Sequence, residues 1–316
     1  MRTLIFIAIA GAAAQLVDGG LGMGFGVTST TILILLAGAG PAQASAIVHA
    51  AEVGTTLMSG LAHWRFGNVD WKVVLKLGVP GAIAAFIGST LLANLSTSAA
   101  KPVTSAILVA IGINLVWRFS KGRVAREVTK RTYSTPFLVL LGSVGGFVDA
   151  SGGGGWGPVT TSTLMGLGRQ EPRRIVGTVN TAEFLVSVAA TLGFVLGLWD
   201  DLTANLAAVV ALLIGGVITT PIAAFLISRM NPVALGGIVG SLIVMLNLPN
   251  VLALLGAGSI AHTPVQWGIQ AAVFAVGVLL TLRGVAIARA RRAEGQVSTS
   301  RSEEFEDSET AAGQTP

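Results

Sequence analysis

Apolar runs long enough to cross a hydrocarbon core recur at roughly 42–65, 71–94, 100–119, 173–197, 202–228, 232–249 and 264–287. A spanning α-helix needs ~20 such residues, and the runs lack the ~10-residue alternation of a membrane β-strand, so helices are expected. Two shorter apolar pairs precede the first and fourth runs. Residues up to 17 and residues 136–147 each predict a short helix, followed by a glycine-rich break and a second short helix at about 27–38 or 158–168.

The break recurs. It reads Val17-Asp18-Gly19-Gly20-Leu21-Gly22-Met23-Gly24-Phe25-Gly26 in its first copy and Val148-Asp149-Ala150-Ser151-Gly152-Gly153-Gly154-Gly155-Trp156-Gly157 in its second. A constant offset of 131 residues matches Val17, Asp18, Gly22, Gly24, Gly26 and Thr30 with Val148, Asp149, Gly153, Gly155, Gly157 and Thr161, then Pro41 with Pro172 and Glu52 with Glu183. Each half therefore reads as a broken helical hairpin plus three spans. A hairpin adds an even number of crossings and three spans an odd one, so the second half is expected to be inverted. The division is a first membrane repeat over 1–119, a basic cytoplasmic connector over 120–131, an inverted second repeat over 132–249, a further span within 250–290 and a tail over 291–316. The tail is rich in Glu, Ser and Thr and is expected to be disordered and cytoplasmic.

Composition agrees with a polytopic all-α membrane protein. Of the 316 residues 52% are hydrophobic and 11% charged, with a mean hydropathy of +0.76, which excludes an ordinary soluble domain. A net charge of +5 and a pI near 10.2 would suit a nucleic-acid partner. The basic residues instead cluster at the ends of apolar runs, the pattern that orients a chain in the bilayer, so no nucleic acid is implied. With the N-terminus outside, Arg65, Lys72, Lys76, Arg118, Lys121, Arg169, Arg173, Arg174, Arg229 and Arg283 fall on the cytoplasmic side, with the C-terminus, Arg2 and Lys101 fall outside, and Asp200-Asp201 falls in an external loop. Residues 1–17 resemble a signal peptide, but their repeat counterpart at 136–147 cannot be one, which argues for mature structure. There is no cysteine, hence no disulfide or thiol chemistry. No cofactor motif is present: neither glycine run is followed by Gly-Lys-Ser/Thr or opens a βαβ unit.

Four carboxylates lie inside the apolar segments: Asp18, Glu52, Asp149 and Glu183. Ionisable groups at membrane depth are costly and usually face a cavity or a relay. The aspartates have a second reading as caps on the helices that follow them; the glutamates, in mid-span, have no terminus to cap. Gly22, Gly24, Gly26, Gly153, Gly155 and Gly157 predict broken helices, and such breaks in matching places of two inverted halves point to a transporter's binding site. The hydroxyls of Thr28, Ser29, Thr30, Thr160 and Thr161 follow the breaks, where free amides favour a small oxyanion; back-bonding to their own turn is the alternative. His49, one turn before Glu52, and its counterpart Asn180 add two more polar groups, and His49 is either a proton relay or a packed histidine. Phe25 and Trp156 gate the site or simply pack. The histidines have no metal-ligand spacing.

The glycine-rich Gly22-Met23-Gly24-Phe25-Gly26, the turn at Pro41 and the second copy Gly152-Gly153-Gly154-Gly155-Trp156-Gly157-Pro158 resemble the TauE/SafE sulfite exporter family, of the toluene-sulfonate uptake permease superfamily. The resemblance covers most of residues 4–285. It implies a bacterial inner-membrane permease for sulfite, sulfonates or related small anions. The expectation is a secondary transporter working by alternating access, with the carboxylates coupling protons or steadying the breaks. A passive anion channel is the rival. An embedded enzyme lacks any nucleophile–base or metal constellation. Whether the protein forms a homodimer is left open.

Overall fold

The structure is a computed structural model and describes residues 2–312 apart from 22, 123–131, 168, 228–230 and 258–262. The glycine at position 22 and most of the basic connector lie outside the described residues. All regular structure among the described residues is helical. The first half comprises α1 (Arg2–Leu21), α2 (Phe25–Leu36), α3 (Pro41–Arg65), α4 (Trp71–Ala93) and α5 (Thr97–Ser120). The second comprises α6 (Thr135–Gly152), a π-helical turn Gly157–Thr161 running into α7 (Ser162–Leu167), α8 (Pro172–Ala204), α9 (Leu206–Ile227) and α10 (Pro232–Leu252). The last helix, α11, spans Pro264–Ala312.

Helix starts follow from local chemistry. Pro41, Pro136, Pro172 and Pro232 occupy first turns, where a missing amide proton costs nothing. Asp70 caps α4 by accepting the Val73 amide at 3.3 Å, and Ser96 caps α5 by accepting that of Ala99 at 3.4 Å. Among the described residues, six helices are long and apolar enough to cross a membrane: α4, α5, α6, α8, α10 and α11. Helix α3 has the length, at 25 residues, but is less apolar, because one of its faces is polar.

Three boundaries differ from the sequence reading. Asp18 and Asp149 lie in the last turns of α1 and α6, ahead of the breaks, rather than within them. Asp200 and Asp201 belong to a helical turn continuing α8 beyond a bend at Leu198 (φ −135°, ψ 34°), and the Asn205 amide closes that turn on the Asp201 and Leu202 carbonyls. Helix α11 runs on to Ala312, through the segment expected to be disordered, whose Ala, Arg, Glu and Gln are strong helix formers.

The two halves interleave. Helix α1 packs along α9, and α6, its repeat counterpart, packs along α4; α3 crosses α8, α5 lies on α10, and α11 covers α10. Small residues let these backbones touch. A Cβ placed on Gly11 would lie 2.4 Å from the Leu212 carbonyl oxygen, and one on Gly142 or Gly146 would lie 2.1 Å from that of Leu77 or Gly81, respectively.

Candidate functional site

The two breaks meet. Gly24 (φ 124°) turns the chain from α1 into α2, and Gly153 and Gly154 (φ 71° and 135°) turn it from α6 into the π-helical turn, in conformations that a side chain disfavours. A Cβ on Gly154 would lie 2.1 Å from the Val27 nitrogen, so the backbones cross there in contact. The Thr30 hydroxyl donates to the Gly153 carbonyl, fastening one break to the other.

Asp149 organises the second break. Its Oδ1 accepts the amides of Gly155 (2.7 Å) and Trp156 (2.9 Å), and its backbone carbonyl accepts the Gly154 amide at 2.9 Å. Oδ2 meets His49 Nε2 at 3.1 Å. His49 Nδ1 lies 2.8 Å from the Ser45 carbonyl, which can only accept, so Nδ1 carries a proton. The Nε2–Oδ2 contact then holds one further proton, either as imidazolium with carboxylate or as imidazole with carboxylic acid. Ser45 also donates to the Ala150 carbonyl at 3.1 Å, and the Trp156 indole donates to that of Val179 at 3.1 Å. Helices α3 and α8 are thus tied to the second break. Asp18, in the matching place, engages the amide of Phe25, the counterpart of Trp156.

Beside this junction lies a cavity of about 420 Å³. Asp18, Glu52 and Glu183 line it together with Phe25, Asn180 and hydroxyls of α3, and no Lys or Arg is among its lining residues. Met58 and Ala62, which also line it, are exposed, so the cavity reaches the molecular surface. Glu52 sits at the joint between cavity and breaks: a Cβ on Gly26 would be 3.0 Å from its Oε1, and its buried Oε2 has no hydrogen-bond partner. Asn180 donates to Ser59 at 3.0 Å.

A family model described as sulfite exporter TauE/SafE matches residues 7–250. The chain belongs to the TauE/SafE family. It is 41% identical over 284 residues to the probable membrane transporter protein YtnM of Bacillus subtilis (strain 168), covering 89% of this chain and 93% of that one. A shorter similarity, 25% identity over 142 residues, covers 45% of this chain and 58% of the probable membrane transporter protein YdhB of the same organism. No solved structure matches the chain. This TauE/SafE protein is therefore a multi-pass member of a membrane transporter family.

Within this TauE/SafE protein the expected site residues separate into three groups. Asp18, Phe25, Glu52, Asn180 and Glu183 line the cavity. Gly24, Gly26, Gly153, Gly155 and Gly157 build the junction, with His49, Asp149 and Trp156 packed against it. The hydroxyls do not line the cavity: Thr160 bonds back to the Trp156 carbonyl, while those of Thr28, Ser29 and Thr161 are buried without a partner. The ligating atoms of His49, Glu52 and Asp149 lie within 4.8 Å of one another, close enough to share a divalent cation. Sequence spacing hid that cluster, because Asp149 is 100 residues from His49.

The polar stripe of α3 was also passed over. Ser45, His49, Glu52, Thr56, Ser59 and His63 recur at three- and four-residue intervals, which puts them on one helix face. Arg118, in the last turn of α5, donates to Ser162 and rests 3.7 Å from the sulfur of Met23. No carboxylate pairs with it among the described residues.

Proposed function

We propose that the protein is a secondary transporter that carries a small anion such as sulfite or a sulfonate across the bacterial inner membrane by alternating access, with its buried carboxylates carrying protons. The observation that carries this reading is the carboxylate-lined cavity at the crossing of two broken helices. Three ionised carboxylates without a cation cost several kcal/mol each at membrane depth. An anion enters such a chamber only when protons cancel that charge, so anion and proton occupancy favour one another. The Asn180 amide and the hydroxyls of Thr55, Thr56 and Ser59 line the cavity and supply neutral donors that an oxyanion can use.

In the positive-inside orientation the cavity faces the cytoplasm. It flanks the C-terminal half of α3, which ends at Arg65, and the N-terminal half of α8, which begins beside Arg173 and Arg174. The arrangement is then the inward-facing state, with the N-terminus outside and the C-terminus in the cytoplasm. The test is uptake of sulfite, thiosulfate and an alkyl sulfonate into inverted membrane vesicles, with and without an imposed pH gradient. Saturable uptake of at least one anion that responds to the gradient is expected. Failure to move any of the three would contradict the reading.

A further inference from the structure

His49 and Glu52 of α3 and Asp149 of α6 converge beside the crossing of the two breaks, and none of the three is more than 3% exposed. Their remaining bonds hold them ready. His49 gives its Nδ1 proton to the Ser45 carbonyl at 2.8 Å and turns Nε2 toward Asp149, as a metal-ligating imidazole almost always does with its second nitrogen. Asp149 commits Oδ1 to the Gly155 and Trp156 amides, at 2.7 and 2.9 Å, and keeps Oδ2 for the cluster. Glu52 adds a carboxylate whose Oε2 is buried with no hydrogen-bond partner. A buried carboxylate oxygen without a donor is costly, and a cation removes that cost.

The spacing suits a small ion. Nε2 and Oδ2 stand 3.1 Å apart, and two ligands of one zinc ion, each ~2.0–2.2 Å from it, lie roughly 2.9–3.4 Å from one another. All three ligating atoms lie within 4.8 Å of one another, so a modest turn of the Glu52 side chain completes the set. Charge selects the valence. Two ionised carboxylates with a divalent cation leave no net charge at membrane depth, whereas a monovalent cation leaves one negative charge uncompensated. An imidazole among the ligands favours a first-row transition ion over magnesium or calcium, which prefer oxygen throughout.

The repeat contains its own comparison. The counterparts of His49, Glu52 and Asp149 are Asn180, Glu183 and Asp18, and all three line the open cavity. Asn180 donates its amide nitrogen to Ser59 at 3.0 Å, and that nitrogen offers a metal no lone pair. The imidazole is thus supplied in one half alone.

We infer that His49, Glu52 and Asp149 form a binding site for one divalent transition-metal cation, with zinc the first candidate, that joins α3 to the second break. On binding, the cation takes the place of the proton between Nε2 and Oδ2, which leaves to solvent with any proton on Glu52. Entry is through the cavity, which Glu52 also lines. Under the transport reading the cation neutralises Glu52 and leaves Asp18 and Glu183 to carry protons; the site itself does not depend on that reading.

The test uses the full chain, purified in detergent, stripped with EDTA and titrated calorimetrically with zinc chloride. One equivalent should bind and raise the thermal unfolding midpoint. Glu52→Gln, which breaks no bond at Oε2, should weaken zinc binding at least 100-fold. His49→Asn, which copies the other half, should do the same and should change the visible spectrum of cobalt(II) bound in place of zinc. Glu183→Gln and His63→Ala should leave zinc affinity within about twofold of the parent, and excess magnesium should not compete. Absence of a zinc equivalent in the parent would overturn the inference. So would binding that survives in both Glu52→Gln and His49→Asn, or that falls as far in Glu183→Gln. A retained zinc equivalent in a protein that moves no sulfite would uphold the site and reject the transport reading.

Discussion

The two breaks have matching sequences and unequal surroundings. The second is fastened from several directions: Asp149 caps it, His49 and Ser45 bind it to α3, Trp156 binds it to α8, and Thr104 of α5 reaches the Ser151 carbonyl at 3.3 Å. The first is held to its own helix end through Asp18 and the Phe25 amide, and it borders a chamber. The surroundings differ where the sequences do: His49 of α3 has Asn180 of α8 as its counterpart, and His63 has Phe194. The helices that flank the breaks make matching contacts: Gly142 meets the Leu77 carbonyl as Gly11 meets that of Leu212, and Gly81 meets the Trp156 ring as Gly216 meets that of Phe25.

That comparison breaks most completely at the junction the halves share. Gly154→Val places a side chain against the Val27 nitrogen at a φ of 135°, and neither backbone can yield without separating the breaks. No monodisperse protein should be recovered from detergent extracts on size exclusion.

The next effect separates the two halves. Asp149→Ala removes two amide bonds and leaves His49 without its buried partner, which should cost about 3–5 kcal/mol, whereas Asp18→Ala, beside the cavity, should cost less than half as much. Thermal unfolding in detergent reads both, and equal losses would remove the distinction between a fastened break and a loose one. Glu183→Gln should leave folding intact and flatten the pH dependence of sulfite transport, because a proton-carrying group in the chamber is lost; an unchanged pH profile would exclude it from coupling.

The smallest contrast is between paired hydroxyls. Thr56→Ala deletes a bond to the Glu52 carbonyl (2.5 Å) and should cost ~0.5–1 kcal/mol. Ser187→Ala deletes a hydroxyl with no partner and should stay within ~0.5 kcal/mol of the parent or stabilise it. A large loss at Ser187 would show that its hydroxyl is bonded in the resting state.

Much of this arrangement is written locally. Most of the long apolar helices, two glycine breaks and two pairs of carboxylates follow from hydropathy, composition and a single offset, because each is a property of a short segment. The neighbours of those segments are not. Nothing near His49 in the chain announces Asp149, and nothing in Thr30 announces the Gly153 carbonyl, since both contacts arise only when the halves interleave. The α3 stripe was legible as a helical period, yet hydropathy averaging hid it inside an apolar run. Asp18 and Asp149 were misplaced by a few residues because glycine in an apolar segment reads as a break, although helix α1 continues to Leu21 and α6 to Gly152.

The central claim is carrier transport through alternating states, and sulfite counterflow in proteoliposomes tests it most directly. Vesicles preloaded with unlabelled sulfite should take up radiolabelled sulfite in a transient overshoot, with a rate that saturates and is stimulated from the opposite side. Uptake that rises linearly with concentration and ignores sulfite on the far side would contradict the account and identify a passive anion pore.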